Sequence, residues 1–405
     1  MMKMNSAADD NRRWTKMPKS PAGIAILIGT ALLLTHPALG QAPDLEWEEV
    51  FGGAKDERGL AIQETRDAGL IVAGYTASKG AGNKDLLLIK TDSEGEMEWE
   101  RTIGGPGDDE GWAVLETKDG GYLIAGVTES WSTGGKDLWL VKTYSDGYER
   151  WMKTFGGPGD DWGAAVVETK DGGYAAVGVT TSRGSGGSDG WILKTDSDGN
   201  LEWDVAIGGS KNDGLSSIME TENGYLVAGT TESFGAGGKD VWLAKTDDGG
   251  NREWEKTFGK DGDEMGNFVL EINGGYVVIG VTKSEGSGGR DLWLARTDSE
   301  GEKVWENTFG GPGDDGGWAA LETRDGDLLV VGYTESQGRG KQDLWTLKAS
   351  AEGEKVWEKT FGGSGFDLGK SIVSAKDGGW AMTGWTESEV SGSRDLWLIK
   401  IKEEP

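Results

Sequence analysis

The chain has 405 residues, 71 of them Gly and 20 Trp, with no Cys, one His and a formal charge of −29. Its charged and apolar fractions are those of a folded chain rather than a disordered one. The lack of Cys excludes disulfides and cysteine catalysis, and so acidic a surface repels nucleic acid and anionic membranes while attracting cations or basic partners, or serving solubility alone.

The first element in chain order is an uncharged apolar run at 22–34, AGIAILIGTALLL, too short to span a bilayer comfortably. Arg12, Arg13, Lys16 and Lys19 precede it and Ala38-Leu39-Gly40 follows, the pattern of a secretory signal peptide cut after Gly40. Translation from Met17 in place of Met1 gives a more compact signal. Residues 1–40 hold five Lys/Arg and two Asp, so their removal takes the charge from −29 to −32. The lone histidine, His36, leaves with them. The expected mature chain, 41–405, then has neither His nor Cys, which excludes Ser-His-Asp and Cys-His catalysis, His/Cys zinc sites and c-type haem attachment. Catalysis would rest on Asp, Glu, Tyr, Lys or Arg, and any metal would be an oxygen-liking one such as calcium.

From residue 45 one unit repeats seven times. Trp47, Trp99, Trp151, Trp203, Trp254, Trp305 and Trp357 are spaced by 51 or 52 residues, and Asp85, Asp137, Asp189, Asp240, Asp291, Asp343 and Asp395 keep step with them. So do Ser78, Ser130, Ser182, Ser233, Ser284, Ser336 and Ser388. Within the unit at 96–145, "EMEWERT" alternates like a strand with one wet face, and "WAVLETKDGG" is a strand ending in an Asp-Gly-Gly turn. "YLIAGVTES" and "DLWLVKT" are apolar on both faces, so sheets must pack on sheets. Four strands per unit, repeated without a helical period, predict an all-β, seven-bladed β-propeller of four-stranded antiparallel blades in one domain over 41–405. The charged Trp strand belongs at the outer edge. The mature chain opens with such a strand, "LEWEEVF" at 45–51, and stops after a third strand, "DLWLIKI" at 395–401. The N-terminal strand is therefore expected to complete the last blade and close the ring.

The loop "GGPGDD" at 104–109, 156–161 and 310–315 joins an outer strand to the next inner strand, on the face that also carries the "TESWSTGGKD" loops, here called the top. Aligned over all units it gives an unbroken acidic column: Glu57, Asp109, Asp161, Asp213, Glu264, Asp315 and Asp367. The column before it reads Asp56, Asp108, Asp160, Asn212, Asp263, Asp314 and Phe366. A phosphate cradle would need a helix start, and paired carboxylates would repel the ligand. The acidic ring is a candidate calcium site, although one acid per blade is not a chelating loop; alternatively each acid accepts hydrogen bonds from turn amides and fixes the start of its blade. The Thr-x-Ser pairs, such as Thr128 and Ser130, are expected to bond the Asp that opens each third strand. The edge Trp series, with Trp139, Trp191, Trp242, Trp293, Trp345 and Trp397 in third strands, is expected to fill the wedges between blades, with sugar stacking as the other reading. "KTDSEGEMEW" at 90–99 resembles an EF-hand start, but reads better as a type I turn.

On a uniform repeat, the residues that break it are candidates for function. On the top these are Trp131, Arg183, Phe234, Gln337, Arg339, Lys341, Gln342 and Phe366. Trp112, Trp162 and Trp318 near inner-strand starts are expected to form an aromatic patch beside the channel mouth, suited to a neutral glycan or a cationic peptide. Repeat drift would also produce such exceptions.

At "DGGYLIAGVTES…GGKDLWLVKTYSDGYERWMKTFGG" (119–157) the chain resembles a family of secreted prokaryotic β-propeller repeat proteins, over essentially 45–401. The resemblance implies an exported or cell-surface protein. More distantly, Asp92, Gly95 and Trp99, like Asp196, Gly199 and Trp203, resemble the repeats of quinoprotein propellers; the vicinal Cys pair common in those dehydrogenases has no counterpart here, so quinone binding is not implied.

Three functions follow. The first is a secreted or periplasmic, monomeric and non-enzymatic scaffold binding an extracellular protein or glycan through its top face, through Trp112, Trp131, Trp162, Trp318, Phe366 and Arg339, with no cofactor except possible calcium on the acidic ring. The second is a polysaccharide-active enzyme using two carboxylates. The third is a structural, envelope-associated propeller stiffened by calcium.

Overall fold

A computed structural model of the chain describes residues 41–388 and 393–403. The expected signal segment, 1–40, lies outside them. The described residues form 28 strands and no helix, grouped in seven four-stranded antiparallel sheets. Blade 2 serves as the type: inner strand Asp109–Glu116, second Tyr122–Thr128, third Asp137–Thr143 and outer Glu149–Phe155. The pairing runs in that order, with Asp109 opposite Thr128 and Thr128 opposite Asp137. Blade 1 begins with its inner strand at Glu57–Glu64, and blades 3 to 6 follow in chain order.

Closure occurs where the sequence places it. Blade 7 takes its inner three strands from the C-terminal end (Asp367–Ser374, Trp380–Thr386, Asp395–Ile401) and its outer strand, Leu45–Phe51, from the N-terminal end. Inner strands touch in succession around the ring, the last against the first. A charged, half-exposed strand is thereby kept outermost, where it discourages edge pairing.

The core is a set of inter-blade layers rather than a central mass. Second and third strands are buried along nearly their whole length because both faces meet a neighbouring sheet. One layer joins Ile71, Leu86 and Leu88 of blade 1 to Val114, Tyr122 and Trp139 of blade 2. The outer Trp of one blade reaches across this seam: the Trp99 ring lies 5.8 Å from that of Tyr122, and it covers Gly147, where an added Cβ would come within 2.5 Å of the indole. The glycine ending each "DSEG"-type turn thus makes room for the preceding blade's Trp. Each buried Trp removes about 150–250 Å² from water, worth roughly 4–6 kcal/mol before entropy is counted. That is how a chain without disulfides holds seven small sheets in register.

Every inner strand carries a bulge at its fourth residue, for example between Gly111 and Ala113. A bulge re-aims the extra residue. Seven residues occupy that place: Leu60, Trp112, Ala164, Ser216, Asn267, Trp318 and Lys370. They sit on the strands nearest the axis.

Candidate functional site

The acidic column is the first residue of each inner strand rather than part of the preceding loop. Asp109 is wholly buried and accepts from Thr128 Oγ1 at 2.5 Å, Ser130 Oγ at 2.6 Å and the Gly105 amide at 2.8 Å. Ser hydroxyls reach Asp161, Asp213, Asp315 and Asp367 at 2.6–2.8 Å in the same way. Thr hydroxyls bond Glu57 and Glu264 at 2.9 Å, and likewise Asp213 and Asp367. Burial alone would raise the Asp213 carboxyl, but the Ser233 and Thr231 hydroxyls and the Gly209 amide outweigh it and hold the group below its ordinary range. Glu264 is lowered by the same balance. Each acid therefore locks two strand ends and a turn within its own blade. Among the described residues, no three acidic side chains come together as a metal-binding group.

The Thr-x-Ser hydroxyls were expected on the third-strand Asp and instead meet the inner-strand acid. The third-strand Asp serves a different loop: Asp137 accepts from the Thr133 amide at 2.8 Å, Asp189 from Ser185 at 2.9 Å and Asp343 from Arg339 at 2.9 Å. It also stands beside the next blade's opening acid; a Cβ on Gly156 would lie 2.0 Å from Asp137 Oδ1 and 2.9 Å from Asp161 Oδ2. Burial, then the Asp161 charge, push the Asp137 carboxyl up. Asp85, Asp137 and Asp291 each keep one buried oxygen without a hydrogen-bond partner.

Of the repeat-breaking residues, exposed Trp131 tilts over Trp139 with ring centroids 5.3 Å apart, on top of blade 2. Phe366 lies under Lys341, whose Nζ is 4.6 Å from its centroid. Arg339 is exposed, and its backbone amide donates a hydrogen bond to Asp343 at 2.9 Å. Trp112, Trp162 and Trp318 do not stack as one patch. Trp112 and Trp318 hold the bulge position in blades 2 and 6, on opposite sides of blades 7 and 1, whereas Trp162 is paired in blade 3 opposite Val179. The bulge shifts the strand by one residue, so sequence neighbours in an aligned column point to different places.

A different group forms beside Trp318. Tyr333, Leu368 and Trp385, with Leu60 and Trp318, make an aromatic cluster on the inner side of blades 6, 7 and 1, separate from the seam layers. Two cations enter it. Lys370 Nζ stands 3.0 Å from the Trp318 ring centroid. The Arg58 guanidinium lies 4.6 Å from the Trp385 ring and pairs with Asp56 at 3.1 Å. Asp56 also accepts from Tyr75 Oη at 2.7 Å. Toward blade 2, Lys84 caps Tyr75 at 4.4 Å and pairs with Glu110 at 2.7 Å, and Glu110 accepts from Trp112 Nε1 at 3.2 Å.

Lys370 differs from the other cations of this arc. Its contact is the indole face; among the described residues no carboxylate pairs with it. Burial, then the Arg58 charge, lower its ammonium to about 7. The side chain is enclosed by protein yet retains some exposure, as suits a group at the axis reached by solvent. Trp318 Nε1 beside it is buried without a partner. Across the ring the same position is quiet: Ser216 Oγ and Asn267 Nδ2 each donate to a carbonyl of the next inner strand at 2.7 Å, and Ala164 makes no polar contact. Sequence reasoning missed Lys370, Arg58, Tyr75, Tyr333 and Trp385. For Lys370 a signal was available in the bulge column, where it is the one charged residue among Leu60, Trp112, Ala164, Ser216, Asn267 and Trp318.

No family model matches the chain, and no curated protein matches it in sequence. Solved structures do. BBS1N, crystallised in complex with ARL6DN and soaked with lead, matches with a TM-score of 0.51 at 9% identity over 90% of this chain and 98% of its own. Sqt1 from Chaetomium thermophilum gives 0.48 at 12% identity, covering 85% of this chain and 82% of its own. A quinohemoprotein alcohol dehydrogenase, ADHIIG of Pseudomonas putida HK5, gives 0.47 at 10% identity over 89% and 76%. At these identities the likeness speaks to the fold alone.

Proposed function

We propose that this chain is an exported, non-enzymatic β-propeller that acts as a recognition platform, holding an extracellular protein or glycan on its top face near the axis. The observation that carries the reading is that the repeat is uneven at the axis: Trp318, Lys370 and Arg58 put aromatic and cationic side chains on the inner strands of blades 6, 7 and 1, with Trp112 at the bulge of blade 2, while the bulge residues of blades 3 to 5, Ala164, Ser216 and Asn267, are small or bonded to a neighbouring carbonyl. Uniform units of 51 or 52 residues add no long loop to build a catalytic pocket. The acids a glycosidase would draw on are saturated by hydroxyls and amides of their own blade, which disfavours the carboxylate-enzyme reading. The test is purified 41–405 with calcium on a broad glycan and peptide array, run beside reducing-end release from a polysaccharide panel. Binding without release supports the platform; release from any polysaccharide overturns it.

A calcium-stiffened ring is the second reading, and one observation favours it. Buried Asp85, Asp137 and Asp291 each hold an oxygen without a partner at a blade junction. A cation there would rest on two carboxylates and turn carbonyls. A rise in melting temperature with millimolar calcium, reversed by chelation, supports it; melting curves indifferent to both overturn it.

A further inference from the structure

We infer that the aromatic cluster of blades 6, 7 and 1 is a binding site for a carboxylate-bearing sugar, a hexuronate unit of an acidic glycan. The inference rests on the recognition-platform reading and narrows its ligand. What the cluster lacks is an acceptor. Trp318 Nε1 is buried with no partner, Lys370 has an indole face in place of a counter-charge, and Arg58 has donors beyond those given to Asp56. A single carboxylate entering where blades 6, 7 and 1 meet answers all three, because an ionised carboxylate is acceptor-only and takes several donors at once.

The surroundings select the rest of the ligand. Around the donors stand ring faces, Trp385 and Tyr333 among them, which suit the apolar face of a pyranose. Beside them, toward blade 2, are Asp56 and Glu110, acceptors for hydroxyl donors. A hexuronate offers this combination on one ring: one carboxylate, several hydroxyls and an apolar face. A neutral sugar would leave Lys370 without a counter-ion. A cationic peptide, which the chain's overall charge would attract, meets Lys370 and Arg58 instead. At this cluster Lys370 and Arg58 outnumber the one carboxylate paired there, Asp56, whereas the chain's net charge of −29 makes unspecific capture of a polyanion unfavourable.

The experiment is calorimetric titration of the folded 41–405 chain with trimers of galacturonate, glucuronate and mannuronate, each beside its neutral hexose trimer. The expected result is saturable binding of at least one uronate trimer, at least tenfold tighter than its neutral counterpart. Lys370→Met should weaken it at least tenfold, and Trp318→Phe, which keeps a ring but removes the N–H, at least fivefold. Both variants should melt no lower than the parent by more than a few degrees. If Lys370→Met fails to fold, Trp318→Phe alone carries the test. Equal affinity for neutral and acidic trimers, indifference to both substitutions, or no uronate binding overturns the inference. Array hits on neutral glycans or peptides that survive Lys370→Met would then leave the platform standing and its acidic-sugar site refuted, whereas an array with no hits removes the platform itself.

Discussion

Two columns of the same inner strands, three residues apart, follow opposite rules. The opening acid is Asp or Glu in all seven blades and is always buried against hydroxyls of its own blade. The bulge residue varies from blade to blade, with six residue types over the seven positions and only Trp occurring twice. Repetition marks positions that solve a problem every blade has, namely how to start a strand at a tight turn. Variation marks positions facing a place that exists once per molecule, the axis. The largest effect is expected from removing one of these locks. Asp161 takes the Ser182 hydroxyl and the Gly157, Thr181 and Ser182 amides. Asp161→Ala leaves these donors unsatisfied inside the protein, at a cost of about 3 kcal/mol or more. Urea unfolding measures it; a loss below about 1 kcal/mol would mean that water replaces the carboxylate easily and that the acids are not locks.

The bulge column should respond in the opposite direction. Lys370 is a cation held without a counter-charge, so Lys370→Met should leave the fold about 1–3 kcal/mol more stable at pH 7. The sign of its pH dependence follows from its lowered ammonium, about 7 in the folded chain against about 10.4 when unfolded. Between those values the unfolded state holds the proton and the folded state does not, so stability climbs as pH rises from 7 toward 10. The partial exposure of the side chain blunts the climb. Unfolding at pH 7 and pH 9.5 should show the parent gaining and the variant flat; parallel behaviour would show that Lys370 is already solvated. A group whose removal stabilises the protein while abolishing ligand binding is the signature of a residue kept for function.

The fold was legible almost in full, because it rests on patterns that repeat: Trp at the outer edge, two doubly apolar strands, and a spare first strand matching a missing last one. The seam glycines and Trp residues could be read the same way once paired, Gly147 with Trp99. The site was legible only in part. Trp318 stood out as an exception to the repeat, but its partner Lys370 did not, since Lys is unremarkable in so charged a chain. No periodicity announces a bulge, and the bulge is what turns Trp112 and Trp318 inward and separates them from Trp162. The Thr-x-Ser hydroxyls were assigned to the wrong acid for a related reason. Thr128 pairs with both Asp109 and Asp137 across its two neighbouring strands, and sequence spacing alone does not choose between them.

A smaller effect sharpens the contrast between repeated and unrepeated charge. The Asp-Gly-Gly hairpins carry their own lock, in which Asp171 accepts from Thr169 and the Gly173 amide and pairs with buried Lys194 at 2.9 Å. Its carboxyl, despite the upward push of burial, is lowered to about 2 by Thr169, Gly173 and Lys194. A depressed carboxyl stabilises the fold above its unfolded value, and that stability drains away as pH falls from about 4 to about 2. Since Asp171 is largely exposed and Lys194 keeps Glu202 as a second partner, Asp171→Asn should cost only about 0.5–1 kcal/mol at pH 7. At pH 2, where the folded carboxyl is about half protonated, most of that cost should be gone. A cost that persists there would assign the effect to the hydrogen bonds rather than the charge.

The smallest effect lies at the one hairpin where blade 1 departs from the others. Gly120, Gly172 and Gly326 take φ near +85° with open space where a Cβ would go or only strain to oppose it; blade 1 has Ala68 there, at φ 67°. A left-handed alanine costs about 1 kcal/mol in sterics, while glycine gives back part of that through the entropy of the unfolded chain. Ala68→Gly should therefore stabilise by about 0.5 kcal/mol, and Gly120→Ala should destabilise by a similar amount. Because nothing lies within 4 Å of the added Cβ at Gly120, the second change isolates backbone strain from packing. If both substitutions destabilise, Ala68 contributes contacts specific to blade 1, beside the seam where the two ends of the chain are joined. Its departure from the repeat would then belong with the variable column rather than with drift.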